Sequence, residues 1–468
     1  MKKRASVTIF LSLSLSSFIV FFMLLSAICI SYSEKLRVEA ATDMAGASVL
    51  GEYSKALWDR YGLLYIDSTY LSQKPDLENV EERLRYYLVE NTEKAYKINN
   101  SPWGKVGIDG INIREYQTAA ANMGASIRNQ AQKYVEKSKS AAMHKERVEG
   151  LSLMALNFSD MEKADIYENW CAVMAQIDGM ERPLKYDEQL ERFIPVEVDN
   201  PASWVYSYSH GSILFTTNAP LGNLQDVHFS ASSLISHRND IDSDAINTDF
   251  NVSKEIYTAY LSDRMSCYEY PLSDSVIRNE LEYIVEHQSS DYENFERVIQ
   301  RIFNARMSDN YGLAVGSALL ESARVYASGM EICTYDTDYI EPIAQSMVYA
   351  VAFLESISDV NNIVNKRKVP LHKSNHSMSL DRLISGGIYY DAQDEGLDYA
   401  DYLTLMLLNE EDEDINLYSM DIMEMNLRKE TNNPEFRMDR CVERIRIEAE
   451  FSGSGPGNMQ INRTYGYY

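Results

Sequence analysis

The chain has 468 residues, of which 45% are hydrophobic, and a formal net charge of −26. This length allows two domains or one large domain with a sizeable core. Because so acidic a surface repels nucleic-acid phosphates and anionic lipid headgroups, the composition excludes nucleic-acid binding.

Residues 7–32 contain no charged side chain over 26 positions and follow a basic cluster at positions 2–4. As a helix this segment extends about 39 Å, more than the ~30 Å hydrocarbon thickness of a bilayer. The pattern predicts a transmembrane helix over residues 7–32, with residues 1–6 in the cytoplasm. A cleaved secretory signal is the alternative, since Val38, Glu39 and Ala40 imitate a cleavage site. Signal cores have only about 7–15 apolar residues, which favours a retained anchor.

The charges flanking this segment predict its orientation. Three basic residues precede it, and two, Lys35 and Arg37, follow it closely. The excess of positive charge on the cytoplasmic side of membrane helices favours a cytoplasmic N-terminus. We therefore expect a single-pass protein of the cell membrane, with an extracytoplasmic C-terminal domain. Without positions 2–4, the chain has 41 basic and 70 acidic residues, so this exterior part has a net charge of −29.

A polar stripe runs along the predicted membrane helix. Thr8, Ser12 and Ser16 recur at every fourth position, which places them on one helix face. In lipid, such small residues let helices approach closely and share hydrogen bonds, so we expect this face to pack against partner helices. The alternative is that each hydroxyl donates to a carbonyl of its own helix.

The helical pattern continues beyond the membrane. Small and apolar residues recur with a spacing close to 3.6 at Leu36, Ala40, Ala47, Leu50 and Leu57. We expect one helix from residue 6 to residue 61, about 80 Å long, in which residues 33–61 form a spine for the exterior domain.

This basic start, long apolar helix and amphipathic continuation resemble type IV pilins and pseudopilins. Pilins have a glycine before their processing site, whereas this chain has Arg4, Ala5 and Ser6. Phe10 or Leu11 stands where pilins have a glutamate. These departures argue against processing by a prepilin peptidase and against assembly into a filament shaft by charge pairing.

Residues 62–139 are predicted to form a small α/β module. An amphipathic helix is expected over residues 75–96, short strands around residues 106–113, and a helix over residues 119–139. Residues 140–253 are interpreted as an irregular connecting region. Its first part is helical in pattern but poor in apolar runs, a strand is predicted at residues 212–217, and residues 201–251 are expected to be the most mobile part.

Residues 254–430 are predicted to form a helical domain. The segment Ser290–Glu293 has the pattern of a capping box at the start of a helix. Residues 342–360 form the most apolar exterior helix, which we expect at the centre of the core. Further helices are predicted at residues 398–409 and 414–429.

The C-terminal part, residues 431–468, is predicted to be a strand and a tail. Apolar and charged residues alternate from Cys441 to Phe451, as in a strand buried on one side. Residues 452–468 are expected to be loose. The predicted fold class is mainly helical α+β, with a long N-terminal transmembrane and spine helix, an exterior helical domain and a small antiparallel sheet.

Four of the five cysteines lie outside the membrane segment and are scattered. They have no CxxC or metal-like spacing, and we expect isolated buried thiols. Two disulfides, with three possible pairings, are the alternative outside the cytoplasm. These cysteines are Cys171, Cys267, Cys333 and Cys441.

Two short motifs imitate metal sites. Asp240, Asp242 and Asp244 resemble the opening of a calcium loop, but residue 245 is Ala where the loop requires glycine. His372 and His376 are four residues apart, but the preceding Pro370 and polar neighbours disfavour a helix there. No metal and no cofactor is expected. Because the motifs GxSxG, HExxH and the P-loop are missing, no enzyme and no catalytic residue is expected either.

Several sequence blocks occur in an order that resembles one family. It consists of anchored exterior proteins of Gram-positive anaerobes, catalogued as a domain of unknown function and associated with Tad-type (tight adherence) pilus clusters. The blocks are Ser6–Leu11, Glu52–Tyr53, Trp58–Asp67, Glu280–Ile284, Ser290–Asn294, Glu355–Asp359, Val369–Lys373, Tyr399–Leu403 and Phe436–Cys441. The resemblance implies an outward-facing, pilus-associated membrane protein and brings no catalytic residue with it.

The expected function is therefore that of a structural or assembly component of a Tad-like pilus or secretion system, as a pilin-like minor subunit. Its expected partners are the membrane and, through the N-terminal helix, other proteins of that system. The alternative is a membrane-tethered exterior ligand-binding receptor or hydrolase, with a pocket in residues 201–251 and the helices that follow.

Overall fold

The computed structural model describes residues 2–71, 74–94, 106–224, 228–241, 246, 251–271, 274–374, 378–388, 392, 394–453 and 458–467. The fold is mainly helical with a small antiparallel sheet, as predicted. The helices are α1 (Lys2–Leu50), α2 (Lys55–Tyr61), α3 (Leu77–Val89), α4 (Ala125–Lys137), α5 (Lys139–Glu162), α6 (Ile166–Gly179), α7 (Ser203–Tyr208), α8 (Ile213–Thr216), α9 (Lys254–Arg264), α10 (Glu280–Glu286), α11 (Asp291–Gly316), α12 (Leu319–Ser328), α13 (Glu331–Tyr335), α14 (Ile340–Val364), α15 (Leu380–Ile384), α16 (Tyr399–Asn409) and α17 (Asp412–Thr431). The strands are β1 (Ile66–Asp67), β2 (Gly107–Thr118), β3 (Leu184–Asp187), β4 (Arg192–Pro195), β5 (Cys441–Ser452) and β6 (Asn458–Gly466).

The chain divides into two compact units. The first unit comprises Met1–Tyr134, Ser232–Val252 and Met420–Tyr468, and the second comprises Val135–Ala231 and Ser253–Ser419. Each unit is therefore built from segments that are far apart in the sequence.

Helix α1 is shorter than the single helix predicted to residue 61. It ends at Leu50, and the chain turns before α2, so the predicted continuity was wrong. The physical reason lies in local capping: Ser54 is extended, and its hydroxyl accepts a hydrogen bond from Leu57 N–H at 3.5 Å, which starts a new helix. The Tyr467 hydroxyl donates to the Leu50 carbonyl at 2.6 Å, which satisfies a group at the end of α1.

The first unit contains an antiparallel sheet with β5 at its centre. Strand β2 pairs along one side of β5, and β1 and β6 pair along the other. The prediction of a strand at residues 441–451 is confirmed, and the single strand β2 replaces the short strands expected around residues 106–113. The prediction of a loose tail was wrong for residues 458–466. These residues form β6, because pairing with β5 satisfies their backbone hydrogen-bonding groups. Residues 454–457 lie outside the described residues.

One face of the sheet forms the core of the first unit with the second half of α1 and with α3. From β5, the alternate residues Ile445, Ile447 and Ala449 point into this core. From α1, Val38 and Val49 are buried against it. The predicted amphipathic spine is therefore confirmed up to Leu50, and α3 confirms the amphipathic helix expected within residues 75–96 as far as Val89.

A glycine allows β6 to approach α1 closely. A Cβ atom at Gly46 would lie 2.8 Å from ring carbons of Tyr465. We expect Gly46→Val to lower the free energy of unfolding by about 1–3 kcal/mol, because the added side chain must displace this ring. Urea unfolding of the full chain in detergent measures the change. In a Tyr465→Ala background the same substitution should cost much less, and an equal cost in both backgrounds would contradict the close contact.

Helix α14 lies at the centre of the second unit. Nearly all of its residues are buried, and α6, α11 and α12 pack against it. The expectation that residues 342–360 form the centre of a core is thus confirmed. Helix α11 begins after Ser290 as predicted, but the Ser290 side chain makes no cap hydrogen bond, so the capping box was wrong in that detail.

The predicted connecting region contains more regular structure than its sequence suggested. Helices α5 and α6 occupy residues 139–179, and α5 packs against α9, α11 and α16 of the second unit. The strand predicted at residues 212–217 was wrong, since α8 forms there. Its apolar residues Ile213 and Leu214 are both buried on this short helical turn, so adjacent apolar residues did not require the alternating faces of a strand.

Candidate functional site

The first half of α1 is an exposed apolar surface. Phe10 is 71% exposed and Met23 is 67% exposed, and other large apolar side chains of residues 7–28 are similarly exposed. Among the described residues, α1 is the one helix whose length and apolar composition allow it to cross a membrane. A signal sequence satisfies the same two criteria. The sequence-predicted apolar segment is therefore a helix that could serve as a membrane anchor.

The predicted stripe of small polar residues lies on this helix. The Ser12 hydroxyl donates to the Ile9 carbonyl and the Ser16 hydroxyl to the Leu13 carbonyl, each at 2.9 Å. Thr8 lies one turn before Ser12 on the same face. These internal bonds are the ones expected from the alternative interpretation, and they leave the small face open to the approach of another helix.

The motifs that imitate metal sites are not assembled in the described part of the chain. No group of three or more His, Cys, Asp or Glu residues there is arranged to hold a metal ion. His372 is exposed, with Nδ1 3.2 Å from Asp309 Oδ1. His376, Asp242 and Asp244 lie outside the described residues.

All five cysteines are free thiols in the structure. Cys267, Cys333 and Cys441 are buried. Burial raises the pKa of the Cys267 and Cys441 thiols well above the ordinary range. Because the thiolate is the reactive form, these two buried cysteines are poor nucleophiles.

Two cavities of the second unit are lined by residues that the structure describes. One has a volume of about 330 Å³ and is lined by residues that include Arg147, Cys267 and Asp401. The other has a volume of about 420 Å³ and includes Glu162 and Tyr167. The second cavity is also bordered by Ser209, Gly211 and Ile213, which belong to the region where the alternative function placed its pocket.

A buried cluster of charges, which we call the Lys373 cluster, joins α11, α14 and the loop after α14. Lys373 Nζ donates to Glu355 Oε1 at 2.7 Å and lies 2.5 Å from Asp359 Oδ1. The side chains of Lys373, Glu355 and Asp359 are at most 2% exposed. Charges removed from water to this extent are tolerated only when each has partners of opposite charge.

Two arginines complete the Lys373 cluster. Arg306, whose side chain is fully buried, donates from Nε to Asp359 Oδ2 at 3.0 Å and from Nη1 to the carbonyls of residues 370 and 371. Arg382 Nη1 donates to Glu355 Oε2 at 2.7 Å. The cluster therefore fixes the loop containing Lys373 onto two helices of the second unit.

The first unit has its own buried group of charges, the Arg238 cluster. Arg238 donates from Nη1 to Glu424 Oε2 at 3.0 Å and to Asp439 Oδ1 at 2.7 Å. Ser236 donates from its backbone N–H and its hydroxyl to the buried Asp421, at 3.0 and 2.5 Å. Sequence analysis predicted that residues 201–251 are mobile. In residues 232–238, Ser236 and Arg238 bind three buried carboxylates, and the mobility of this segment stays a prediction.

A further buried carboxyl group, that of Glu282, makes the stability of the second unit pH-dependent. Glu282 is fully buried, and Oε1 accepts hydrogen bonds at 2.8 Å from Tyr268 N–H and from the Tyr399 hydroxyl. Oε2 has no hydrogen-bond partner in the described structure. Burial raises the pKa of Glu282 to about 7, and the two hydrogen bonds oppose this only in part.

The raised pKa means that the folded state holds the Glu282 proton more tightly than the unfolded chain does. The resulting stabilisation is fully present below about pH 4.5 and is lost as the pH rises to about 7, a change of about 3 kcal/mol. We expect the pH dependence of the free energy of unfolding across this window to be smaller by about 3 kcal/mol in Glu282→Gln than in the unmodified chain. The exposed Glu293→Gln variant serves as the control. An unchanged pH dependence in Glu282→Gln would contradict the assignment.

Sequence reasoning did not identify these charged clusters as functional or structural sites. Glu355–Asp359 and Val369–Lys373 are separate blocks in the sequence, and the structure brings them together through Lys373. A buried charge gives no periodic signal, so the one available clue was a set of charged residues within or beside strongly apolar segments.

Residues 191–453, which are 263 of the 468 residues, match the family of unknown function DUF5702. This range contains the Lys373 cluster, the Arg238 cluster and Glu282. Comparisons with curated proteins and with solved structures find no match. Since the matched range exceeds half of the chain, the chain belongs to the DUF5702 family.

Proposed function

We propose that this protein is a membrane-anchored extracytoplasmic component of a Tad-like pilus or secretion system, acting as a pilin-like minor subunit or assembly factor. The observation that carries the proposal is the continuity of α1. One helix leads from an exposed apolar segment of membrane-spanning length into the core of the first unit, where Val38, Ala45 and Val49 are buried. The same element thus serves as anchor and as structural core.

This continuity favours a retained anchor over a cleaved signal. Cleavage after Ala40 would remove Glu34 and Val38, which are 2% and 1% exposed. Loss of a buried valine removes about 1.5–3 kcal/mol of hydrophobic stabilisation. A signal sequence, in contrast, is removed without cost to the mature fold. The flanking charges, three before the apolar segment and two after it, favour the cytoplasmic N-terminus.

The surface of α1 supports lateral contacts with other membrane helices. Its apolar side chains have no cover from the rest of the described chain, and the face with Thr8, Ser12 and Ser16 allows close helix approach. The pairing of a lipid-exposed half with a half packed on an antiparallel sheet supports the pilin-like role. The specific association with a Tad-like system comes from the sequence resemblance.

The function test uses expression in the native host, with detergent extraction and affinity purification. We expect deletion of residues 1–33 to release the exterior part in soluble form and to abolish co-purification of pilus components. Changing Thr8, Ser12 and Ser16 to leucine should keep the chain in the membrane but reduce co-purification. The matched control changes Ser14 and Ser17 to leucine, on the opposite face of the same helix. Undiminished co-purification after the deletion would contradict the proposal.

A tethered receptor or hydrolase is the second candidate. The two cavities favour it, since their volumes of about 330 and 420 Å³ lie within the ~300–1,000 Å³ range of small-molecule sites. Thr404 lines the smaller cavity. Filling this cavity through Thr404→Trp should then impair ligand binding or hydrolysis while leaving the membrane location unchanged. If ligand binding and hydrolysis are unaffected by the filled cavity, this candidate loses its support.

A further inference from the structure

The Lys373 cluster places an amine against a carboxyl group in a site without water access. Lys373 Nζ lies in direct contact with Asp359 Oδ1, at 2.5 Å, and both side chains are at most 2% exposed. Asp359 Oδ1 accepts no hydrogen bond in the described structure, and Lys373 is its ion-pair partner there. We propose that Lys373 and Asp359 form an intramolecular amide bond through their side chains.

The neighbouring residues supply the groups that such a reaction requires. Glu355 Oε1, which accepts from Lys373 Nζ at 2.7 Å, is placed to take a proton from the amine. Asp359 Oδ2 accepts two hydrogen bonds, from Arg306 Nε at 3.0 Å and from Asn310 Nδ2 at 2.9 Å. These two donors stabilise the negative charge that develops on Oδ2 when Nζ attacks Cγ.

The reaction balances without any further reactant. The ammonium group of Lys373 gives one proton to Glu355, and the neutral amine attacks Asp359 Cγ to form a tetrahedral intermediate. The intermediate loses a second proton from nitrogen, and Oδ1 leaves as water after receiving two protons, the first relayed by Glu355. The C–Oδ1 bond breaks, the C–Nζ bond forms, and one water molecule is released. No oxidant or reductant takes part.

Charge and geometry favour the product in this site. The cluster contains three cations, Arg306, Lys373 and Arg382, and three carboxylates, Asp309, Glu355 and Asp359. Amide formation removes one charge of each sign. The product is a neutral group in a dry environment, where an ion pair must otherwise offset the loss of hydration. Holding the two groups in contact also replaces a bimolecular step by an intramolecular one, which raises effective concentrations to about 10⁵ M or more.

Asp359 is the reacting carboxyl group, and Glu355 is not. The Nζ contact with Glu355 is an ordinary hydrogen bond, and Arg382 donates to the other Glu355 oxygen. At Asp359, the oxygen that does not face the amine, Oδ2, accepts the hydrogen bonds from Arg306 and Asn310. The bond would close a loop between the end of α14 and the segment after it. Its formation does not depend on the proposed function.

Peptide mapping of the full chain tests this inference. After denaturation and trypsin digestion, amide formation blocks cleavage at Lys373, so peptide 369–382 should remain linked to peptide 325–366, with a combined mass lower by one water. Fragmentation should place the link at Lys373 and Asp359. Complete cleavage at Lys373, with peptides 325–366, 369–373 and 374–382 at their unlinked masses, would overturn the proposal, as would a link at Glu355.

Two variants and one control sharpen the test. Lys373→Arg keeps the positive charge but should yield no linked pair, and Glu355→Gln should slow its formation by about 10²-fold or more because the proton-transfer group is lost. Lys185→Arg replaces an accessible lysine that pairs with Glu331 at 2.8 Å, and the linked pair should remain. Unchanged formation in Glu355→Gln would contradict the mechanism.

Discussion

Replacing Arg238 by methionine is expected to lower the free energy of unfolding of the first unit by about 3 kcal/mol. The substitution leaves Glu424 and Asp439 buried without the cation that joins them, and breaking a buried ion pair costs about 3–5 kcal/mol. We expect the lower end of this range because Arg428 still contacts Glu424 and Arg437 still contacts Asp439. Urea unfolding of the full chain in detergent gives the change in stability.

Hydrogen exchange provides a second measurement on the same variant. The amides of residues 232–238 should exchange faster, because the segment loses the ion pairs of Arg238 with Glu424 and Asp439. Arg437→Met is the matched control: Arg437 is 23% exposed where Arg238 is 9% exposed, and its loss leaves the contact of Asp439 with Arg238. An Arg238→Met chain as stable as the Arg437→Met chain would contradict the role of the Arg238 cluster.

Replacing Trp170 by alanine is expected to destabilise the second unit by about 3–5 kcal/mol, the usual cost of removing a buried tryptophan. Trp170 is fully buried on α6 and stacks on Tyr349 of α14 with ring centroids 6.4 Å apart. The Tyr206 ring lies edge-on to the Trp170 ring, with centroids 5.2 Å apart. Trp170 Nε1 donates a hydrogen bond to Ser346 Oγ at 3.4 Å. The substitution therefore removes several aromatic contacts and leaves a cavity beside the central helix.

The exposed Tyr335 supplies a control within the same unit. Its side chain is 51% exposed, so Tyr335→Ala should change the free energy of unfolding by about 0.5 kcal/mol or less. Thermal unfolding followed by circular dichroism compares the two variants. If Trp170→Ala were as stable as Tyr335→Ala, α6 would be connecting structure, as its sequence suggested, and no part of the core.

The regular elements with strong patterns could be predicted from the sequence. The apolar run of residues 342–360 predicted the central helix α14, and the alternation from Cys441 to Phe451 predicted the central strand β5. The apolar segment at residues 7–32 predicted the exposed half of α1. In each case a single segment contains enough apolar residues to determine both its conformation and its buried face.

The elements that were missed depend on distant partners. Strand β6 has few apolar residues and exists through its pairing with β5, and α6 is fixed by Trp170 against a helix about 180 residues later. Arg238 and Glu424 are 186 positions apart. Local patterns do not identify such partners, which is why the segments around Trp170 and Arg238 were interpreted as connecting or mobile.

The central claim is that the first half of α1 remains part of the mature protein as its membrane anchor. Alkaline extraction of cell membranes, followed by mass spectrometry of the chain's N-terminal peptides, tests this most directly. The account predicts that the full chain stays in the membrane fraction and yields peptides from residues 7–32. A soluble mature chain that begins after Ala40 would contradict it.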